Sequence, residues 1–289
     1  MTDSIGAATC GPDEQFVACH AELAGGYGGG GDPADPALVQ AMQVVLHLPK
    51  VDPPPRSALL EAAATAAVAL CLDPRVGPGG EWEQRYLAWK RSRIRKVARR
   101  ARGAQWLAAG EVEGVTVDVG AAQARALVPG PVGDVDPRIR KLQIRMPPAS
   151  GPAAERNHAG PASGSIGHGT DLEADEPGPT DPELPVLWVN SELGMTVGKA
   201  AAQVGHASML LAGALSVQRA YAWSRRGLRC SVREAGPRQW PALCERVRQG
   251  SATAVRDAGF TEVAPGSITV IAVPPVPAAV PADGPPSAR

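Results

Sequence analysis

Two stretches of the chain carry an alternation of strand and helix patterns. In the first, an apolar run at 42–46 is followed by an alanine-rich helical pattern at 57–72. In the second, an apolar run at 186–189 is followed by a helical pattern at 197–211, and strand-like ends return at 126–129 and 271–274. Each stretch reads strand, helix, helix, strand, helix, strand, loop, strand, which predicts a mixed sheet with helices packed on its faces.

The two stretches also resemble each other in sequence. When the chain is aligned with itself at an offset of 134, residues 88–111 match residues 222–245 at ten of 24 positions. The matches include two tryptophan pairs, Trp89 with Trp223 and Trp106 with Trp240. Because tryptophan is a rare residue, two pairs in one alignment indicate an internal duplication.

The remaining segments have compositions that do not form a core. Residues 1–37 contain a glycine-rich run, residues 148–183 are rich in proline, glycine, serine and acid, and the last residues are rich in proline. Such segments bury too little apolar surface to offset the entropy of ordering. We therefore expect five parts: a disordered tail at 1–37, a first copy at 38–147, a disordered linker at 148–183, a second copy at 184–280 and a disordered tail at 281–289.

Charge is distributed unevenly along the chain. The whole sequence has 29 basic and 29 acidic residues, but between Arg85 and Arg145 fourteen basic residues stand against five acidic ones, a local charge of +9. Seven of these cations fall within 91–102. Because local charge attracts a polyanion, this stretch is a candidate for contact with nucleic-acid phosphates through residues such as Arg95 and Arg99. A solvated helix or strand face is the competing interpretation.

The sequence gives no sign of a metal site or a membrane segment. The five cysteines form no CxxC pair and their number is odd, which favours reduced thiols over a zinc site or a disulfide framework. The longest strongly apolar stretch, 62–72, is too short to span a bilayer. The N-terminal residues do not form a signal peptide. We expect a cytoplasmic protein with no membrane partner.

The first chemical motif lies at a predicted helix start. Residues 195–207 read Met-Thr-Val-Gly-Lys-Ala-Ala-Ala-Gln-Val-Gly-His-Ala. Backbone N–H groups and the positive end of the helix dipole favour an anion at such a position, and Lys199 adds a mobile charge beside Gly198. A nucleotide-binding P-loop is disfavoured, because three residues rather than four separate Gly194 from Gly198, and Ala200 replaces the Ser or Thr that binds magnesium.

The second motif reads Asp-Ala-Gly-Phe-Thr-Glu-Val-Ala-Pro-Gly-Ser-Ile-Thr-Val over residues 257–270. Strand-like residues on both sides place Asp257 and Thr261 on a loop at the edge of the sheet. Taken alone, an Asp followed by small residues is an ordinary turn signal. Together the two motifs resemble the second (archaeal and eukaryotic) type of peptidyl-tRNA hydrolase, which carries Met-Gly-Lys-Gly-Lys-x-Ala-Ala-Gln-x-x-His-Ala and later Asp-Ala-Gly-Arg-Thr-Gln-Ile-Ala-Pro-Gly-x-x-Thr-Val.

The resemblance covers residues 184–277 and implies a fold and a set of site residues. The fold implied is a three-layer α/β/α unit with a four-stranded mixed sheet, here duplicated as a pseudo-dimer within one chain. The implied site consists of catalytic Lys199, Asp257 and Thr261, with Gly198, Gln203 and His206 as substrate-binding positions. The sequence departs from the family pattern at Val197, Phe260 and Glu262, which removes two cations, adds one acid and weakens the expected contact with the tRNA backbone.

The activity implied is hydrolysis of the ester between a peptide, or an N-blocked amino acid, and the tRNA 3′ end. In this hypothesis Lys199, held by Asp257, stabilises the developing oxyanion, and Thr261 with local N–H groups orients water. Asp257 as general base is an alternative, and so is a structural role for His206. No cofactor or metal is required, and the expected partner is peptidyl-tRNA rather than DNA. A catalytically weak tRNA-binding protein from the same family is the main alternative.

The first copy is expected to lack catalytic residues. By alignment it has Glu61 at the Lys199 position, Thr65 at the Gln203 position and Val68 at the His206 position. It keeps Asp118, but the following loop is shorter by six residues. A reversed charge at the lysine position is incompatible with anion binding there. We expect this copy to take the place of a second protomer, so that the chain is a monomeric pseudo-dimer.

Overall fold

The computed structural model describes residues 11–26, 30–142, 172–258 and 262–275. The helices are α1 Glu14–Ala24, α2 Arg56–Cys71, α3 Glu83–Lys90, α4 Ala104–Gly110, α5 Pro137–Arg140, α6 Val197–Ala214, α7 Val217–Ser224 and α8 Trp240–Arg248. The strands are β1 Gln40–His47, β2 Lys96–Ala101, β3 Gly114–Val119, β4 Ala122–Leu127, β5 Gly130–Pro131, β6 Val186–Asn190, β7 Ser231–Ala235, β8 Thr253–Arg256 and β9 Ile268–Val273.

The strands form two mixed sheets with the same strand order. The first sheet has the order β2-β1-β4-β3, with the two-residue β5 also paired to β1, and the second has the order β7-β6-β9-β8. In each sheet the two strands at one side are parallel and the remaining pairs are antiparallel. The predicted mixed α/β class and the predicted order of elements are therefore confirmed.

Two units of the chain correspond element by element. We call β1 to α5 with its flanks, residues 38–142, the first unit, and β6 to β9 with its flanks, residues 184–275, the second unit. Helices α3 and α7 begin and end at positions 134 residues apart. The aligned tryptophans also make equivalent hydrogen bonds. Nε1 of Trp89 donates to the Arg95 carbonyl (3.0 Å), and Nε1 of Trp223 donates to the Arg229 carbonyl (2.7 Å). These correspondences are compatible with a duplicated unit.

Each sheet has one face on a shared core and one face on a smaller core of its own. Alternate strand residues such as Val44 and Val270 join α2 and α6 in the largest apolar cluster. On the opposite face of the first sheet, Val45 and Ala101 pack with α4 and α5, whereas Ile271 of the second sheet packs with α8. The pair of helices α2 and α6 consequently lies between the two sheets.

Helices α2 and α6 approach each other closely at small residues. A Cβ built on Gly205 would lie 3.2 Å from the Cβ of Ala67, and the Ser208 hydroxyl donates to the Ala64 carbonyl (2.8 Å). Each helix also reaches the other unit's sheet, since α6 contacts β2 and α2 contacts β7. Contacts of this reciprocal kind are characteristic of a two-fold related interface.

The prediction of a disordered tail over residues 1–37 is wrong for residues 14–24, which form α1. Asp13 caps the helix by accepting from the Phe16 amide (2.7 Å), and Cys19 and Leu23 are buried. His20 Nε2 lies 3.0 Å from two carbonyls at the end of α6, those of Ala212 and Leu215. The helix is stable because it docks on the second unit, a partner that its own composition does not reveal.

The predicted linker, 148–183, is described only from residue 172 onward. This part has almost no regular secondary structure, but it is held against α2. The Asp175 carboxylate accepts from the Ser57 amide (2.8 Å) and from the Ser57 hydroxyl (2.5 Å), and so caps the first turn of α2. The expectation of disorder is therefore corrected for residues 172–183, whereas residues 143–171 and the tail predicted at 281–289 lie outside the described residues.

Two further findings concern the cysteines and the helices of the described residues. Cys19, Cys71, Cys230 and Cys244 are free thiols. In the described ranges no helix combines the length and the apolar character needed to cross a bilayer.

The docking of α1 gives a prediction for Gly213→Ala. A Cβ at Gly213 would lie 2.6 Å from the Leu23 carbonyl oxygen, so the substitution pushes α1 away from α6. We expect a loss of about 1–3 kcal/mol in unfolding free energy and faster proteolysis within residues 14–24. Gly110→Ala is the matched control, because nothing lies within 4 Å of that Cβ. Equal stability of the two variants in urea titrations would contradict the docking.

Candidate functional site

The start of α6 is set by a sharp turn after β6. Residues Ser191–Leu193 form a short 3-10 turn that ends at Gly194, whose φ of +53° lies in the left-handed region that glycine adopts without strain. Thr196 then caps α6, its hydroxyl accepting from the Lys199 amide (3.2 Å). This geometry directs the first turn of α6, including Gly198 and Lys199, toward the loop that follows β8.

A nearly buried ion pair joins the two sequence motifs. Lys199 Nζ donates to Asp257 Oδ2, and the two side chains are only 10% and 8% exposed. Gln203, one helical turn further along α6, donates through Nε2 to the same carboxylate oxygen (2.8 Å). The side-chain oxygen of Gln203, Oε1, in turn accepts from the buried Thr269 hydroxyl (2.6 Å). The sequence prediction that Lys199, Asp257 and Gln203 lie together is supported by these contacts.

Asp257 is fixed by its own backbone as well as by its side chain. It follows β8, the edge strand of the second sheet, as the sequence predicts. Its amide donates to the Ser267 carbonyl (2.9 Å), and its carbonyl accepts from the Gly266 amide (2.7 Å). Gly266 has a φ of +79°, so the loop closes without strain beside β9. The carboxylate is therefore pre-positioned for Lys199.

The helix start is partly neutralised by the protein itself. The Glu262 carboxylate accepts from the Thr196 amide (2.9 Å) and from the Thr196 hydroxyl (2.7 Å). A carboxylate is favoured at this end of the helix dipole. An internal acid thus takes the Thr196 amide, so this amide is not open to an external anion. Anion binding by the remaining amides of the turn stays a prediction.

His206 lies on the same side of α6 as Lys199 and Gln203, at spacings of three and seven residues. It is half-buried, and its Nδ1 lies 3.3 Å from Nζ of Lys96, which belongs to β2 of the first unit. Burial, followed by the charges of Lys96 and Lys199, holds the pKa of His206 well below its ordinary value. In the sequence Lys96 is only one cation of a basic stretch, so this contact could not be predicted from charge alone.

The basic stretch is divided by the alternation of β2. Lys96 and Ala98 face α6, whereas Arg99 points to the opposite face of the first sheet. Arg99 is 7% exposed, and its guanidinium donates to Gln43 Oε1 (2.7 Å) and to the carbonyls of Arg140 and Leu142 (3.3 Å each). This placement gives Arg99 a structural role, so the prediction that it binds substrate is corrected. Arg95 is partly exposed and pairs with Asp32 (2.7 Å).

Thr261, the third predicted catalytic residue, and Phe260 lie outside the described residues. The residues of the first unit that align with Lys199 and Asp257 are Glu61 and Asp118, and both lie among the described residues. Glu61 accepts from the Val232 amide (2.9 Å) and from Arg233 (3.2 Å), and Asp118 is exposed and accepts from Gln123 (2.5 Å). Glu61 is thus part of the contact between the units rather than of an open site.

Among the described residues, no group of three or more His, Cys, Asp or Glu side chains is arranged to hold a metal ion.

One family model matches the second unit. Residues 185–281 match the family model described as Peptidyl-tRNA hydrolase PTH2. The match spans β6 to β9 and includes both motifs, and it supports this family for the C-terminal part of the chain. It does not extend to residues 38–147, so the identity of the first unit as a degenerate copy stays a prediction.

The buried hydrogen-bond chain gives a prediction for Thr269→Val. The substitution keeps the shape of the side chain but removes the donor to the buried Gln203 carbonyl oxygen, which costs about 1–3 kcal/mol of unfolding free energy. The matched control is Thr253→Val in the same sheet, because the buried Thr253 hydroxyl has no hydrogen-bond partner among the described residues. We expect that control to be neutral or stabilising. Chemical denaturation checks both, and equal losses would show that the hydroxyl of Thr269 does not matter.

Proposed function

We propose that the chain is a peptidyl-tRNA hydrolase, which cleaves the ester between a peptide or N-blocked amino acid and the tRNA 3′ end. The observation that carries the proposal is the Lys199–Asp257 pair, buttressed by Gln203, within the segment that matches the hydrolase family. A lysine that is fixed at one end by a carboxylate has the charge and the position needed to bind an ester oxygen. The expected partner is peptidyl-tRNA, and neither DNA nor a membrane is part of the proposal.

Lys199 is the proposed electrophilic group of the reaction. As water attacks the ester carbonyl, negative charge develops on the carbonyl oxygen, and a preorganised ammonium stabilises it more than it stabilises the neutral ester. Because Asp257 holds Lys199 in a nearly buried position and Gln203 in turn holds Asp257, reorganisation during the reaction is small. Thr261, which aligns with a threonine of the family motif, is the proposed water-positioning residue, together with local backbone N–H groups, and Gly198 is a proposed substrate-binding position at the helix start.

Asp257 is assigned the role of positioning Lys199 rather than that of a general base. Its Oδ2 already accepts from both Lys199 and Gln203, so taking a proton from water there would break one of these bonds. An oxygen saturated by two donors is a poor proton acceptor. In this proposal the proton lost by the attacking water reaches the leaving ribose oxygen through solvent.

The first unit is proposed to be a degenerate copy that takes the place of a second protomer. The equal strand orders, the paired tryptophan contacts and the reciprocal helix–sheet contacts support a monomeric pseudo-dimer of two three-layer units. Arg95 remains a candidate for contact with tRNA phosphates, since its side chain is 26% exposed. Such contacts carry no base readout and weaken steeply with salt.

A catalytically weak tRNA-binding protein is the second candidate function. It is favoured by the departures from the family motifs at Val197, Phe260 and Glu262, which set this site apart from the pattern of the family's enzymes. It is disfavoured by the intact Lys199–Asp257–Gln203 arrangement, which binding alone does not require.

The test is release of N-acetyl-amino acid from N-acetyl-aminoacyl-tRNA by the full chain and by Lys199→Ala and Asp257→Asn. Each substitution removes an element of the charge stabilisation, so we expect a loss of kcat of at least about a hundredfold. Asp118→Asn is the matched control, because this exposed aspartate occupies the corresponding place in the first unit. It should retain full activity.

Breaking a buried ion pair also destabilises a protein, so folding of each variant is verified by circular dichroism and thermal unfolding at the assay temperature. Activity that survives in both folded variants would contradict the proposed site. An inactive wild type that binds tRNA tightly and in a salt-sensitive manner would favour the second candidate function.

Glu262 gives a separate prediction. Glu262→Gln removes a negative charge from the helix start, and we expect KM for the tRNA substrate to fall by about fivefold at low salt, corresponding to about 1 kcal/mol of repulsion. Because salt screens this repulsion, the difference should shrink as ionic strength rises. Glu245→Gln makes the same change on α8, on the far face of the second sheet, and should leave KM unchanged. A KM for Glu262→Gln equal to or above that of the wild type would contradict this role.

A further inference from the structure

The first unit places a lysine against the helix that carries the candidate site. Lys96 leaves β2, passes Gly205 of α6 and ends beside His206 and Met209, with Nζ 3.3 Å from His206 Nδ1 and 2.8 Å from Met209 Sδ. Gly205 makes room for it, because a Cβ there would lie 3.1 Å from Cδ of Lys96. Nζ also lies 5.2 Å from the ring centroid of Trp89.

This environment is unusual for an ammonium group. Among the described residues no carboxylate pairs with Lys96, and its polar contacts are His206 and Met209. Burial lowers the pKa of Lys96 to about 7, with Cys71 acting in the opposite direction. A buried lysine that contributes only to packing is more stably replaced by an apolar residue. Its contact with His206 therefore calls for a role.

The contact fixes the protonation of His206. While Lys96 is protonated it donates but cannot accept, so His206 Nδ1 is then the acceptor and the ring proton lies on Nε2. Within the described part of the chain Nε2 forms no hydrogen bond, and the ring is only half-buried, which leaves this atom available to an outside acceptor. The charge of Lys96 also opposes a second proton on the ring.

We propose that Lys96 of the first unit is a positioning residue for the site on α6: it holds His206 as a neutral imidazole that donates from Nε2 to an acceptor oxygen of the substrate. The inference builds on the proposed hydrolase function and adds that the first unit takes part in it. It also accounts for the place of the first unit, whose strand β2 must lie on α6 for Lys96 to reach His206.

The groups that face His206 and Lys96 determine how the pair titrates. They are Lys199 on α6 itself, Cys71 on α2 and, beyond Gln203, Asp257 at the end of β8. For His206 itself, the nearest cation is Lys96, whose Nζ lies at hydrogen-bond distance from Nδ1. Replacing it by an uncharged residue should therefore raise the pKa of His206 toward its ordinary value of 6.5.

The experiment compares wild type, Lys96→Met and Lys96→Gln in the full chain, with Lys90→Met as control. Lys90 is another buried lysine of the first unit, but its Nζ donates to the Gly26 carbonyl, away from His206. Two quantities are measured against pH: the His206 imidazole resonance, assigned with His206→Asn, and kcat/KM on N-acetyl-aminoacyl-tRNA.

We expect no titration of His206 near its ordinary pKa in the wild type or in Lys90→Met. In Lys96→Met the pKa of His206 should rise, because the charge of Lys96 is lost while the burial remains, and the acid limb of kcat/KM should move up with it, so that kcat/KM falls at the acid end. Lys96→Gln, which can still donate to Nδ1, should show the same shift but regain activity at about pH 8. A role in packing alone would not move the acid limb.

The folding of Lys96→Met is not expected to confuse the result. Since the pKa of Lys96 is about 7 in the folded protein and 10.5 ordinarily, the unfolded chain binds more protons between these values. The wild type therefore gains stability as pH rises from 7 to 10.5, and Lys96→Met should be at least as stable near pH 7.

An unchanged His206 titration in Lys96→Met would overturn the inference, and so would a shifted titration with an unchanged pH profile of kcat/KM. A wild type without turnover would instead reject the proposed hydrolase function, and this inference with it. Turnover by the wild type that Lys96→Met matches at every pH would reject this inference alone.

Discussion

The close contact between helices α2 and α6 is the constraint on which the other features of the molecule depend. Small residues at the crossing, Gly205 and Ala67, let the helices approach, and the Ser208 hydroxyl bonds across them. Because each helix also covers a sheet, this single contact brings both sheets onto one core and lays strand β2 along α6. A larger residue at the crossing would separate the two units.

The candidate functional site is also built on helix α6. Helix α6 presents Lys199, Gln203 and His206 on one side, and the edge of the second sheet supplies Asp257 to the first two of these. The first unit supplies Lys96 to His206. Both units therefore place charged side chains along α6. Glu262 and Asp257 of the second unit offset the positive charge at the start of the helix, and Lys96 of the first unit lies further along it.

Much of this arrangement could be predicted because it is encoded locally. Strand and helix periodicity gave the element order, and the two motifs placed Lys199 and Asp257 together. Orientation was harder to predict. The alternation of side chains along β2 directs Lys96 toward His206 on α6 and Arg99 toward the opposite face of the first sheet. A count of basic residues contains no such information. Helix α1 escaped prediction because its stability comes from docking on α6, not from its own composition.

The account is tested most directly by a crystal structure of the full chain with a stable amide analogue of the aminoacylated terminal adenosine of tRNA, N-acetylated at its amino group. The account predicts that the carbonyl oxygen nearest the ribose lies within hydrogen-bond distance of Lys199 Nζ, with the analogue on the side of α6 that carries Gln203 and His206. An analogue bound on the first unit, or one that leaves Lys199 without contact, would contradict it.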